Sequence, residues 1–517
     1  MTPRPTFFSR SVNSCIAFIT LAAATFPAVA QQSTSDVGTT DLAQSIRELR
    51  RQVQELRDAV TDIKSQAAQY RAENEQLRKE LESLRAAGPG SSTPGSATAA
   101  GQTAVPNASV EQRVSSVEES TQVLQSEART LYQSKVESAS KYRVRISGLV
   151  LLNLFHNNGE VDNQDVPNYA TASGPYGIAP TFGATLRQSE LGLEVFGPEI
   201  AGAKTTGEIN MDFGGGSPAG ELDGINTGIV RLRTADARLD WENTSIIAGQ
   251  DNLFISPNSP TSFASLLVPS LGYSGNLWAW TPQLRFEHRF NFSDDQRVSV
   301  QAGILDNVTG EASYGSHRLP QAGESSGQPA YALRTAWNKT VAGRPLTIGT
   351  SGYYSRQNWG FGWTVDGWAG VTDWRLPLPA RLELSGEFYR GKALGGLGGG
   401  IGQSVLFSTG ATNPTSDFVP VNSAGGWSQL KFMATPRLEF NGVFGEDNPF
   451  AADVRAFRSP IGIYSSVLTA NRSEMMNFIY RPRSDLLFSG EYRHLRTSQI
   501  GSFYGADQVN LMMGVLF

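Results

Sequence analysis

The last eleven residues, 507–517, read DQVNLMMGVLF and carry the clearest structural signal in the chain. Every second residue counted back from the end is large and apolar, as in Phe517, Val515, Met513, Leu511 and Val509. A period of two places one apolar row on one face of a β-strand and a smaller, more polar row on the other. An apolar face at this position must be covered by something, and the rest of the sequence indicates what.

Residues 1–30 have the layout of a secretory signal peptide. Arg4 and Arg10 lie in a basic start, an apolar stretch covers residues 15–26, and AVA at 28–30 is a small-x-small cleavage site. The alternative is a membrane anchor, but the apolar stretch is short for a span of about 20 residues. The sequence therefore predicts cleavage and export.

The exported chain contains few groups suited to redox or metal chemistry. Cys15 is the only cysteine and lies within the predicted signal peptide, so no disulfide or thiolate site is expected. The four histidines have no metal-ligand spacing, and no cofactor is predicted. The remaining sequence has no apolar run long enough for a membrane-spanning helix, which leaves a closed β-barrel as the other way to cross a bilayer.

The composition divides the chain into two regions near residue 141. Residues 1–141 carry 15 basic and 15 acidic residues, whereas residues 142–517 carry 28 and 33. The second region also holds 44 of the 50 aromatic residues and 48 of the 53 glycines. Neither region has the basic excess typical of nucleic-acid binding.

Residues 31–86 are predicted to form a coiled coil. Apolar residues recur at alternating spacings of four and three from Leu42 to Leu84, a narrow two-row seam that favours self-association. Asn74 falls at a core a position, where a buried amide fixes register or chain number at a cost in stability. Residues 87–109, rich in Gly, Ser, Pro and Ala, are predicted to be a flexible linker, and a weaker heptad pattern marks residues 110–141 as a second helical segment.

From residue 142 the hydrophobic period changes to two, and the sequence predicts an all-β transmembrane barrel of about sixteen antiparallel strands, with eighteen as the alternative. The predicted strands are 142–156, 184–197, 201–213, 227–241, 243–250, 283–292, 296–306, 329–339, 344–356, 362–375, 380–391, 425–435, 436–446, 471–481, 483–495 and 506–517. Their connections alternate between tight turns and mostly long loops. That asymmetry is typical of an outer-membrane barrel with periplasmic turns, and lipid would then cover the apolar row of 507–517.

This arrangement resembles Gram-negative porins, whose last strand characteristically ends in Phe, here Phe517. With the preceding coiled coil, it is similar to the trimeric DcaP-like porins and more distantly to the phosphate-selective OprP/OprO type. The resemblance implies a homotrimer in the outer membrane, a periplasmic coiled coil, and recognition of the last strand by the barrel assembly machinery. It also implies passage of small organic anions such as dicarboxylates. The heptads themselves, with Val or Ile at a and Leu at d, favour a coiled coil of two chains.

A sixteen-stranded barrel leaves a water-filled lumen, and the alternation assigns residues to it. On the strand 283–292 the apolar residues face lipid, which leaves Arg285, Glu287 and Arg289 inside. Arg231 and Arg233 are inward by the same rule. A charged side chain on the lipid face would cost about 2–4 kcal/mol at the membrane midplane, so this partition is enforced physically.

The connection 251–282, after the fifth predicted strand, is the candidate constriction. It contains Asp251 as its only charge and is rich in Leu, Phe and Trp, which suits a loop packed against the inner wall. The alternative is an external cap or a contact between subunits. Arg231, Arg233, Arg285 and Arg289, opposite Asp251, are the constriction candidates, and the open alternative is that they pair with Glu287 or Glu208 and only stiffen the wall.

The sequence favours a porin for small hydrophilic solutes and does not predict an enzyme. GESSG at 323–327 matches the serine nucleophile pattern around Ser325, but it lacks the strand-turn-helix context that the chemistry requires. The strongest alternative is a structural tether between the outer membrane and peptidoglycan. A helix over residues 42–84 would reach about 65 Å at 1.5 Å per residue, which suits a spacer.

Overall fold

The computed structural model describes residues 143–174, 177, 179–216, 228–311, 318–409, 413–456 and 467–517. The predicted signal peptide, the coiled coil with Asn74, the linker and the second helical segment lie outside these residues. The described part of the chain contains no helix that is long and apolar enough to cross a membrane.

Strands dominate the described residues, with one short helix, α1 (Ala451–Ala456). The strands are β1 (Arg143–Asn158), β2 (Thr181–Thr185), β3 (Glu190–Phe196), β4 (Lys204–Asp212), β5 (Arg231–Asp240), β6 (Thr244–Asn252), β7 (Trp280–Ser293), β8 (Gln296–Leu305), β9 (Ala330–Val341), β10 (Arg344–Asn358), β11 (Thr364–Leu378), β12 (Leu382–Lys392), β13 (Val405–Phe407), β14 (Phe418–Pro420), β15 (Asn422–Thr435), β16 (Leu438–Pro449), β17 (Leu468–Arg483), β18 (Leu486–Gln499) and β19 (Ser502–Leu516).

Within the described residues, seventeen of these strands form one closed antiparallel barrel, which has sixteen barrel strands when β2 and β3 are counted as one. β2 and β3 both pair with β1 and act as two parts of one barrel strand, while β13 and β14 form a separate hairpin within a loop. The barrel closes where β19 pairs with β1, with Val515 opposite Val150 and Met513 opposite Leu152. The prediction of sixteen strands is confirmed, and the alternative of eighteen is not.

The two faces of the barrel differ as the period of two predicts. Val150 and Leu511 are more than half exposed on the outer face, whereas Asn153 and Asn510 are fully buried on the inner one. The Asn153 amide donates to Asn510 Oδ1 at 3.1 Å, so polar side chains pair inside the barrel. The terminal residue Phe517 is exposed, as expected for a residue at the lipid boundary.

The connections alternate in length around the barrel. One rim carries short turns, such as residues 294–295 between β7 and β8 and residues 484–485 between β17 and β18. The other rim carries most of the long loops, among them residues 159–180, 253–279 and 393–421. The loops on this second rim position the candidate site.

Candidate functional site

Residues 253–279, which we name the constriction loop, connect β6 to β7 and lie inside the barrel. Leu253, Ile255 and Leu277 are at most 1% exposed, and they pack with inward residues of other strands such as Tyr353 and Tyr389. The apolar composition of the loop therefore matches its place in the lumen, and the loop is not an external cap. Asp251 itself belongs to β6.

The constriction loop crosses the lumen and is held by hydrogen bonds to the far wall. Ser262 Oγ donates to Glu491 on β18 at 2.6 Å, and Asn477 on β17 donates to the Thr261 carbonyl at 2.8 Å. The Thr261 amide donates to Gln429 on β15 at 2.7 Å. These partners lie between 168 and 229 residues away in sequence, so the bonds depend on the closed barrel.

Glu387 on β12 clamps the base of the constriction loop. Its Oε1 accepts the Leu277 amide at 3.2 Å, and its Oε2 lies 2.5 Å from Ser256 Oγ. Ser256 Oγ also lies 2.6 Å from the Leu277 carbonyl oxygen, which can only accept. The Ser256 hydroxyl thus lies between the Leu277 carbonyl and the Glu387 carboxyl, and Glu387 joins both arms of the loop.

Between the constriction loop and the wall formed by β7, β8 and β9 lies a narrow cavity of about 270 Å³. Both arms of the loop line it, together with Arg285, Gln301 and Arg334. Arg285 pairs with Asp251 at 3.0 Å. Arg334 pairs with Asp373 on β11 at 2.7 Å. The cavity therefore has two guanidinium groups on its wall, each with one carboxylate partner.

Arg231 and Arg233 lie above this cavity, towards the rim with the long loops. Their guanidinium carbons each lie 4.8 Å from the centre of the Trp280 ring. Arg231 also pairs with Asp212 at 2.7 Å and donates to the Leu267 carbonyl of the constriction loop at 2.6 Å. Arg233 lies at a bulge in the β4–β5 pairing, a feature that commonly redirects a side chain.

Arg231 and Trp280 also line a second, upper cavity of about 480 Å³. It shares Trp278, Ala279 and Trp280 with the narrow cavity. The Trp278 and Trp280 rings meet edge to face at 5.5 Å between centres. A solute passing between the two cavities would therefore move along these rings.

The predicted constriction residues lie at different positions along the barrel axis. Arg285 and Asp251 line the narrow cavity, and Arg231 lines the upper one. Arg289 lies closer to the turn at 294–295 and pairs with Glu287 at 2.9 Å. Arg233 pairs with Glu190 instead of Glu208.

Sequence reasoning missed Arg334, Trp278, Trp280 and the clamp residue Glu387 as parts of the site. Arg334 follows the inward period of β9, and Glu387 follows that of β12, so alternation is consistent with an inward position for both. The missing information was which inward residues meet the constriction loop.

The glycine-rich stretch 395–402 lies against the constriction loop. The Trp278 amide donates to the Leu397 carbonyl at 3.0 Å, and Leu394 and Leu397 are buried. Gly398 has a φ of +80°, and a Cβ there would collide with the Gly272 carbonyl oxygen. These glycines therefore permit close packing between two loops.

The serine motif has a different setting from a catalytic one. Ser325 lies in a 3-10 turn, Glu324–Ser326, where its amide donates to the Gln321 carbonyl at 2.8 Å. Its neighbour Glu324 pairs with Arg318 at 2.5 Å. Over the described ranges, no group of three or more His, Cys, Asp or Glu side chains is placed to hold a metal ion.

The chain thus has the architecture of a porin-like barrel with a loop folded into its lumen. It is similar in structure to the outer membrane channel DcaP of Acinetobacter baumannii, with a TM-score of 0.53 and 17% identity over 74% of this chain and 100% of that one. The anion-selective porin from Comamonas acidovorans gives a TM-score of 0.45 and 10% identity over 73% and 100% of the two chains. Pseudomonas putida OprB gives a TM-score of 0.45 and 12% identity over 75% of this chain and 96% of that one.

No protein-family model and no curated protein sequence matches the chain. The comparison with DcaP shows a shared fold.

Proposed function

We propose that this protein is an outer-membrane porin through which small hydrophilic solutes diffuse passively. The constriction loop carries the proposal, because it is tied across a sixteen-stranded barrel and bounds a cavity lined by charged, polar and aromatic groups. An apolar outer face and a polar inner face suit a barrel between lipid and water. Conductance in a planar bilayer tests the channel. A barrel that does not conduct would favour the alternative of a structural tether between the outer membrane and peptidoglycan.

The channel prefers small organic anions, such as dicarboxylates, but only weakly. Arg285 and Arg334 at the narrow cavity supply positive charge, and charged groups at a constriction set ion preference. Each of these arginines already has a carboxylate partner, Asp251 or Asp373, which reduces the field that a solute meets. The resemblance to DcaP-like porins supports the same class of solute.

A salt gradient across a bilayer tests this preference. Replacing Arg231, Arg233, Arg285 and Arg289 together by Ala should shift the reversal potential towards cations, because the carboxylates that they neutralise remain. The matched control is Arg318→Ala, whose side chain is 70% exposed on the loop between β8 and β9. An unchanged reversal potential in open channels would place the selective charges elsewhere.

The active form is a homotrimer whose N-terminal region, residues 31–86, associates as a periplasmic coiled coil. The heptads support self-association, and the resemblance to trimeric porins supports three chains. The C-terminal segment that ends at Phe517 serves as the signal for barrel assembly. Mass measurement of the detergent-extracted complex tests the chain number, and a dimer or monomer would contradict it.

A further inference from the structure

The upper cavity has an aromatic wall. Tyr273 and Trp278 belong to the constriction loop, and their rings meet edge to face at 6.3 Å between centres. Trp278 meets Trp280 in the same way, so the three rings form one continuous surface. All three residues line the cavity and are partly exposed. A solute in the upper cavity therefore meets a flat, apolar surface.

The glycine-rich stretch 395–402 packs against two of these rings. A Cβ at Gly402 would lie 2.9 Å from Cε1 of the Tyr273 ring, and one at Gly398 would lie 3.1 Å from Cδ1 of the Trp278 ring. Both glycines have a positive φ, +74° and +80°, which a side chain would strain. A side chain at either position would also crowd the ring next to it. The glycines therefore let the backbone hold the two rings in place on one side of the cavity.

The upper cavity also has polar groups that are free to bind a solute. The Tyr169 and Tyr273 hydroxyls have no hydrogen-bond partner among the described residues, and both residues line the cavity. Gln321 accepts the Thr309 and Gly310 amides through its side-chain oxygen at 2.7 and 3.0 Å, and its side-chain nitrogen has no partner in the same part of the chain. A tyrosine hydroxyl can donate and accept, whereas the glutamine nitrogen donates. The cavity can therefore bind hydroxyl groups of a solute, which also donate and accept.

The charges at the upper cavity favour a neutral solute. Among the described residues that line it, Arg231 is the only basic one, and its Nε and Nη2 atoms bind the Asp212 carboxylate at 3.0 and 2.7 Å. Asp162 is the only acidic one in the same set, and it accepts two backbone amides and the Asn168 side chain. A cationic solute would also meet the two guanidinium groups that already lie over the Trp280 ring. Neither an anion nor a cation therefore finds a free opposite charge in this cavity.

We infer that the upper cavity binds a neutral pyranose sugar before the sugar passes the constriction loop. One face of a pyranose ring carries C–H groups, which pack on the Tyr273 and Trp278 rings. Its hydroxyls form hydrogen bonds with Tyr169, Tyr273 and Gln321. The volume of about 480 Å³ lies within the range of about 300–1,000 Å³ that is usual for small-molecule sites. The inference rests on the proposed channel and adds a second class of solute to the small anions of the narrow cavity.

The test is saturation-transfer NMR on the full chain in a detergent without a sugar headgroup, such as lauryldimethylamine oxide. Methyl α-glucoside, sorbitol and succinate are titrated separately. Methyl α-glucoside should receive saturation strongly, because it has both a ring and hydroxyls. Sorbitol should receive little, because it keeps the hydroxyls but has no ring to pack on the aromatic wall.

The double variant Tyr169→Phe/Tyr273→Phe keeps both rings and removes both hydroxyls. Its Kd for methyl α-glucoside should rise at least about fivefold, as expected from the lost hydrogen bonds. Its binding of succinate, which depends on the narrow cavity, should not change. The matched control is Tyr331→Phe/Tyr480→Phe, because these two tyrosines are exposed on the outer face of β9 and β17. The control should bind methyl α-glucoside as the wild type does.

Saturation of sorbitol equal to that of methyl α-glucoside, or an unchanged Kd in the double variant, would overturn the inference. An equal rise in the outer-face control would also overturn it, as would a loss of succinate binding in the double variant that matches the loss of glucoside binding. Conductance of the same preparation in a planar bilayer tests the channel separately. A conducting wild type that does not bind the glucoside overturns the inference alone, whereas glucoside binding without conductance keeps the sugar site and overturns the proposed channel.

Discussion

The clamp at Glu387 gives a sharp prediction about the constriction loop. Replacing Glu387 by Ala removes the acceptor that lies 3.2 Å from the buried Leu277 amide, and it also removes a hydrogen-bond partner of Ser256 Oγ. An unsatisfied buried amide costs about 1–3 kcal/mol. That cost falls on the state with the loop in place, so the population with a displaced loop should rise roughly five- to 150-fold.

Glu387→Gln tests whether hydrogen bonding by this side chain holds the loop. A glutamine side chain keeps an oxygen that can accept the Leu277 amide and a second polar group within reach of Ser256 Oγ. We therefore expect current fluctuations in single-channel recordings to increase strongly in Glu387→Ala and little in Glu387→Gln. Glu194→Ala, which removes a glutamate paired with Arg145 far from the loop, controls for a changed charge. Equal fluctuations in the Ala and Gln variants would refute a clamp held by these hydrogen bonds.

Three further predictions follow from other parts of the chain. Gly398→Val should loosen the glycine-rich stretch through its collision with the Gly272 carbonyl and raise single-channel conductance, whereas Gly352→Ala, with open space around it, should not. Removing Phe517 should slow barrel assembly, measured as heat-modifiable migration on gels, because its amide and carbonyl both hydrogen-bond with Gly148. In an isolated peptide of residues 31–86, Asn74→Leu should raise the melting temperature, measured by circular dichroism. It should also allow more than one number of associated chains, measured by sedimentation.

Most of the barrel could be predicted from sequence because alternation reports directly on the two faces of a strand. The predicted strand 184–197 shows the limit, since the structure divides it into β2 and β3. The break contains Gln188, whose buried side chain accepts the Leu266 amide of the constriction loop at 3.1 Å. A tertiary contact therefore interrupts the strand, and no local pattern records it.

The candidate site was less predictable for a related reason. Arg285 could be assigned to the lumen from its strand, but its contact with Asp251, 34 residues away, depends on strand register. Arg334 and Asp373 meet across β9, β10 and β11, so neither residue is marked as a partner by its own surroundings in sequence. Packing of the loop, not alternation, selects which inward residues a solute would meet.

The contact between the glycine-rich stretch and the constriction loop has a consequence for natural variation. The Leu397 carbonyl accepts the Trp278 amide, and Leu397 lines neither the narrow nor the upper cavity. A substitution there changes the position of Trp278 without changing a residue that lines either cavity. Strains selected for reduced uptake of a toxic compound should therefore carry some of their mutations at Leu397, where a survey restricted to cavity-lining positions would overlook them.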